Sequence, residues 1–193
     1  MTMANRNLSH RLAQVRILPR ILRTASFVVA ACTLAVAPWS QAQSAPLQSP
    51  EVYLDADGLK PRAIEELTGT SLVRDYATAW RDLEQALDSG RDERLGEEFV
   101  GFAKDHLMQR VAEQRQTDIH VRVVDHGHRL KAVFYSTDGT AMQLVDRAEL
   151  EVQTYDGSKL LDTQKVPHDY VVLMTPGADR WYVRDLEEVP AKP

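Results

Sequence analysis

Cysteine is nearly absent. Cys32 is the single one among 193 residues, so no intrachain disulfide can form, and a fold of this size must be held by its core alone. Acidic residues are missing from the first 42 positions, which carry Arg6, Arg11, Arg16, Arg20 and Arg23. No apolar run reaches the ~20 residues that a membrane-spanning helix needs. No CxxC pair, His-Glu-xx-His, Gly-x-Ser-x-Gly or glycine-rich phosphate loop occurs, which removes zinc-protease, serine-hydrolase, nucleotide-hydrolase and kinase readings. No internal repeat or low-complexity block is present.

What is there begins with an address. The arginines are followed by an apolar stretch from Ala25 to Pro38 and then by Ser40-Gln41-Ala42, a small-x-small site. A basic segment, a short apolar segment and a small-residue cleavage site form the grammar of a secretory signal. The apolar stretch would extend roughly 20 Å as a helix, short of the ~30 Å hydrocarbon core. A cleaved signal over residues 1–42 is the first reading. An uncleaved single-span anchor through residues 25–38 would still leave the domain outside the cytoplasm. Val29-Ala30-Ala31-Cys32 loosely resembles a lipoprotein box, but the residues after Cys32 stay apolar. The predicted location is therefore periplasmic or secreted. Five of the 23 basic residues and none of the 28 acidic ones precede residue 43, so the rest of the chain carries a net charge of −10. Such a surface repels phosphate backbones, and nucleic acid is not an expected partner.

Residues 43–67, with Pro46, Pro50 and Pro61, read as an extended tether onto which Tyr53 and Leu54 could dock. From Ser71 to Asp88 the pattern is helical. Val73, Tyr76, Trp80, Leu83 and Leu87 form one face, Arg74, Asp75, Arg81, Asp82 and Gln85 the other, and Gly90 follows the end. A second helical region opens at Asp92 and runs through Leu95, Phe99, Phe102, Leu107 and Val111, with a break near Gly101. After Gln116 the period falls to two. Ile119–Val123, Leu130–Phe134, Ala148–Thr154, Lys159–Val166, Asp169–Met174 and Asp179–Leu186 make about six strands, joined by turns such as Asp138-Gly139, Asp156-Gly157 and Pro176-Gly177. Tyr170–Met174 is apolar on both faces, as a covered strand or a subunit contact would be. Helices first and a meander second predict an α+β domain over residues 68–189, with helices packed on a curved, mainly antiparallel sheet. Residues 190–193 are a tail.

Tyr76-Ala77-xx-Trp80 on the opening helix, Ala86 to Asp92 after it, then Leu95, Phe99 and the strands ending in Arg180-Trp181-Tyr182-Val183 resemble the nuclear-transport-factor-like superfamily, which includes SnoaL-like and ketosteroid-isomerase-like proteins. The resemblance implies a cystatin-like cone, a pocket at its mouth and a homodimer formed through the outer sheet face. Members of that superfamily include enzymes and non-catalytic binding modules, so the fold alone does not choose.

Candidate functional residues follow from misplaced polarity. Asp146 shares strand parity with Met142, Leu144, Ala148 and Leu150, where a carboxylate is costly unless paired. A β-bulge at Val145–Asp146 that turns it outward is the cheapest account. The alternatives are a buried pair with Arg122, Arg129 or Tyr135, or a pocket acid. Were the protein an enzyme of the isomerase or dehydratase kind, Asp146 would be the base, and Tyr135 or His168 the proton partner. His168 and Asp169, as strand neighbours, would point to opposite faces. Asp125, His126 and His128 read as a polar hairpin turn around Gly127, with a metal site that adds His120, or a catalytic set, as the rarer options. Trp80 and Trp181 follow helical and strand periods, as core residues do. With Tyr76 and Phe134 they are also the candidate walls of a ligand pocket. No metal and no cofactor are expected. The preferred function is an exported, non-enzymatic module binding an apolar small molecule or an envelope protein, with a membrane-anchored scaffold as the third reading.

Overall fold

The computed structural model describes residues 48–190. The signal segment, Cys32 and residues 191–193 lie outside the described residues. The described part is α+β: one mixed five-stranded sheet, with its helices against one face. In chain order the elements are β1 (Val52–Asp55), α1 (Glu66–Ser89), α2 (Leu95–Glu98), α3 (Gly101–Arg115), β2 (Ile119–Tyr135), β3 (Met142–Asp156), β4 (Lys159–Pro176) and β5 (Trp181–Val189). The strands lie side by side in sequence order. β1 runs parallel to β2, and the other pairs are antiparallel.

Several elements differ from the sequence expectation. The segment read as a tether contributes β1, whose Tyr53 and Leu54 pair with Arg129 and Leu130. Helix α1 begins at Glu66, where an acidic first turn suits the helix dipole. Thr70 lies in the first turns, ahead of the expected start at Ser71, and its hydroxyl donates back to the Glu66 carbonyl at 2.9 Å. The helix ends as anticipated at Gly90, in the left-handed conformation with φ 66°. Phe102, expected on the apolar face, is 78% exposed. The strands expected at Ile119–Val123 and Leu130–Phe134 are one strand, and so are Lys159–Val166 and Asp169–Met174, which with β1 gives five among the described residues rather than about six. Pro167 is tolerated inside β4 because β5 pairs only from Asp169 onward, leaving β4 an open flank there.

The dry core lies between α1 and the sheet. Leu72, Tyr76 and Leu83 of α1 meet Leu130, Leu144 and Val172 of three neighbouring strands. Leu95, Phe99, Leu107 and Val111 close one end. Beyond the helices β4 runs out into solvent, with Leu160, Leu161 and Val166 exposed. Among the described residues no helix is long and apolar enough to cross a membrane.

Candidate functional site

A phase change in β2 organises the polar centre. Val121, Val123 and Asp125 face the helices on odd numbers, whereas His128, Leu130 and Ala132 do so on even numbers. The register against β3 slips between Asp125 and His128, the mark of a β-bulge. Gly127 takes φ 129°, and its N–H donates to the Asp125 carboxylate at 2.8 Å. Beside it the Glu51 carbonyl accepts from the His128 N–H at 2.9 Å. Asp125 and His128 therefore both turn inward. The expected solvent-exposed hairpin turn is instead a bulge inside a continuous strand.

Asp146 is fully buried. Both of its ladders run through Val145 and Asp146 without a slip, so the anticipated bulge there does not form and the carboxylate points into the core. Its partners are not Arg122, Arg129 or Tyr135. The Tyr76 hydroxyl donates to its Oδ2 at 2.7 Å, and His128 Nδ1 lies 2.7 Å from the same oxygen. His128 Nε2 lies 2.6 Å from Asp125 Oδ2. The Asp125 N–H donates in turn to Glu84 Oε1 at 2.8 Å. Asp146 Oδ1 is buried without a hydrogen-bond partner.

Burial alone would pull the His128 pKa down. Its bonds to Asp125 and Asp146 outweigh that and push it up to about 9. At neutral pH the ring is an imidazolium donating from both nitrogens. Burial, then the neighbouring Asp146 charge, holds the Tyr76 phenol well above its ordinary value. Burial also raises the Glu84 carboxyl to about 7, against the opposing bond from the Asp125 N–H. Both ring nitrogens of His128 are taken by carboxylates, so neither is free to accept a proton from a substrate. The two carboxylates also lie on opposite sides of the ring and do not converge on a common ion. Among the described residues no group of three or more His, Cys, Asp and Glu is placed to hold a metal.

Trp80 closes this network. Its ring lies 4.5 Å from His128 and 5.4 Å from Tyr170, centroid to centroid. Trp80 also lines a cleft of about 290 Å3 between α1, α3 and the sheet. Leu83, Leu107, Val123, Leu150 and Val152 supply its apolar walls. His106 and Arg110 of α3 stand on one lip, and His168, Tyr170 and Glu188 on the other. His168 Nδ1 is 2.7 Å from Glu188 Oε1, while its Nε2 is buried without a partner.

The sequence-derived residues divide accordingly. Trp80 and His168 border the cleft. Tyr76 is buried behind it as a ligand of Asp146. Tyr135 pairs in register with Met142, four residues from Asp146 and so about 13 Å along the strand. It packs against Trp181 and under the Arg62 guanidinium. Trp181 is a core residue whose N–H donates to the buried Asp75 at 2.8 Å. Phe134 is 42% exposed and does not line the cleft in front of Trp80. Asp146, Tyr135 and His168 thus do not meet. Asp125 and His128 were named as a candidate pair but placed in an exposed turn, and Glu84 and Arg110 were missed. The change from odd to even apolar positions across Gly127 was the signal for the first two.

No family model matches the chain, and no curated protein matches it. Among solved structures, the intermembrane space region of the chloroplast protein ARC6 is similar, with a TM-score of 0.56 and 17% identity over 67% of this chain and 98% of that one. A structure from Catenulispora acidiphila matches 64% of this chain and 95% of its own length, at 15% identity and a TM-score of 0.43. At 17% identity the ARC6 likeness concerns the fold alone.

Proposed function

We propose that the chain is an exported, non-enzymatic binding domain whose site is the cleft in front of Trp80. The cleft itself carries this reading. Its volume of about 290 Å3 is near the lower end of small-molecule pockets (~300–1,000 Å3), and its apolar walls carry a few polar groups at the mouth. The enzymatic alternative asks Asp146 to exchange protons with a substrate. That carboxylate is 0% exposed, and Tyr76 and His128 hold it behind the indole. The nuclear-transport-factor-like cone is part of the same proposal. Helices preceding the antiparallel strands β2–β5, and β-bulges in β2 that bend it, support that shape. Export rests on the arginine-rich start and the short apolar run, and N-terminal sequencing of the secreted product tests it.

Native mass spectrometry of the gently purified full-length chain tests the binding reading. A small-molecule adduct is expected, and Val152→Trp, which fills the cleft, should remove it. Bare protein mass, or an adduct indifferent to that substitution, contradicts the assignment. A homodimer through the outer sheet face is a second reading, favoured by one observation. Val145 is exposed on that face and pairs in register with the half-buried Val171, next to Leu173. The same spectra count subunits, and Val145→Asp should shift the count to one.

A further inference from the structure

We infer that the cleft takes an amphipathic anion, an apolar chain lying on Trp80 and the β3 side chains with its carboxylate held at the lip by Arg110. The inference rests on the binding reading above and adds the chemistry of the head group. Arg110 and His106 lie one turn apart on α3, and both border the cleft mouth. Arg110 forms no ion pair among the described residues, although the chain after residue 42 carries a net charge of −10. The acidic group on the opposite lip, Glu188, is already engaged by His168 at 2.7 Å. A cationic head group would therefore meet the Arg110 guanidinium on one lip and, on the other, a Glu188 carboxylate that already holds His168 through Oε1. Arg110 and His106 are solvent-exposed, so a neutral head group would leave the guanidinium to water and gain nothing from it. A carboxylate can accept from Arg110, and from the Tyr170 hydroxyl across the cleft, which has no hydrogen-bond partner among the described residues. Burial raises the Tyr170 phenol above its ordinary value, so it stays a donor. The acidic body offers no long-range attraction for anions, so any preference for one must come from this lip.

Calorimetric titration of the full-length chain with decanoate, decanol and decyltrimethylammonium tests the assignment. Decanoate should bind tightest and decyltrimethylammonium weakest. Arg110→Gln should weaken decanoate roughly tenfold or more, as loss of a charge-assisted contact does, while leaving decanol unchanged. If decanol binds as well as decanoate and Arg110→Gln changes neither, the head-group assignment falls and the apolar cleft stands. A preference for the ammonium also overturns it. If none of the three binds, the binding reading falls with it.

Discussion

Two histidines lie on either side of one tryptophan and are used in opposite ways. His128, behind Trp80, spends both ring nitrogens on Asp125 and Asp146 and is sealed from solvent. His168, in front, spends one nitrogen on Glu188 and borders the cleft. The contrast teaches that a dense cluster of acid, imidazole and phenol is not by itself a catalytic centre. What decides is whether any member keeps a free donor or acceptor that a substrate can reach. Behind Trp80 the buried atom left without a partner is Asp146 Oδ1, and it is enclosed. In front, the polar groups are fewer, but Arg110 and Tyr170 are unspent.

Breaking the sealed side should cost most. His128→Ala leaves Asp125 and Asp146 buried without their cation, and such a loss is worth about 3–5 kcal/mol. Urea unfolding should show it, and a loss below 1 kcal/mol would place these groups outside the core's economy. The next largest effect needs no mutation. Folding raises the His128 pKa from 6.5 to about 9, so the folded state holds more protons than the unfolded one between those values. The stabilisation is complete below pH 6.5 and is lost as pH rises through about 9, by roughly 3 kcal/mol. Glu84, raised from 4.5 to about 7, acts with the same sign at lower pH. Stability should therefore fall from mildly acidic pH towards pH 9. A flat or rising curve between pH 7 and 9 would contradict an imidazolium at His128. Tyr76→Phe removes one donor to Asp146 and should cost about 1–3 kcal/mol. The smallest change belongs to the open side. His168→Gln, which loses a half-exposed pair with Glu188, should alter stability by no more than about 1 kcal/mol. A larger drop would mean that this histidine, too, is structural.

The same two sides differ in how readable they were. The α1 stripe of Tyr76, Trp80, Leu83 and Leu87 follows the helical period, and Asp146 sits on apolar parity, so both were visible as patterns. The partners of Asp146 were not. Pairing Asp125 with His128 requires a bulge at Gly127, and in sequence an Asp-His-Gly-His run is equally a hairpin turn. Strand β1 was hidden because Val52–Asp55 is too short to show a period and gains its hydrogen bonds only from β2. The error at Asp146 came from pricing a buried carboxylate without the tyrosine 70 positions away that pays for it. Arg110 carries no signal at all, since an arginine on a helix reads as solvated surface until the opposite lip is in place.

The most direct test follows the imidazole nitrogens by NMR at pH 7.5 while decanoate is added to the full-length chain. The account predicts that His128 shows both nitrogens protonated and does not move, while the signals of His106 and His168 shift with ligand. A response at His128, or none at the two lip histidines, would contradict it.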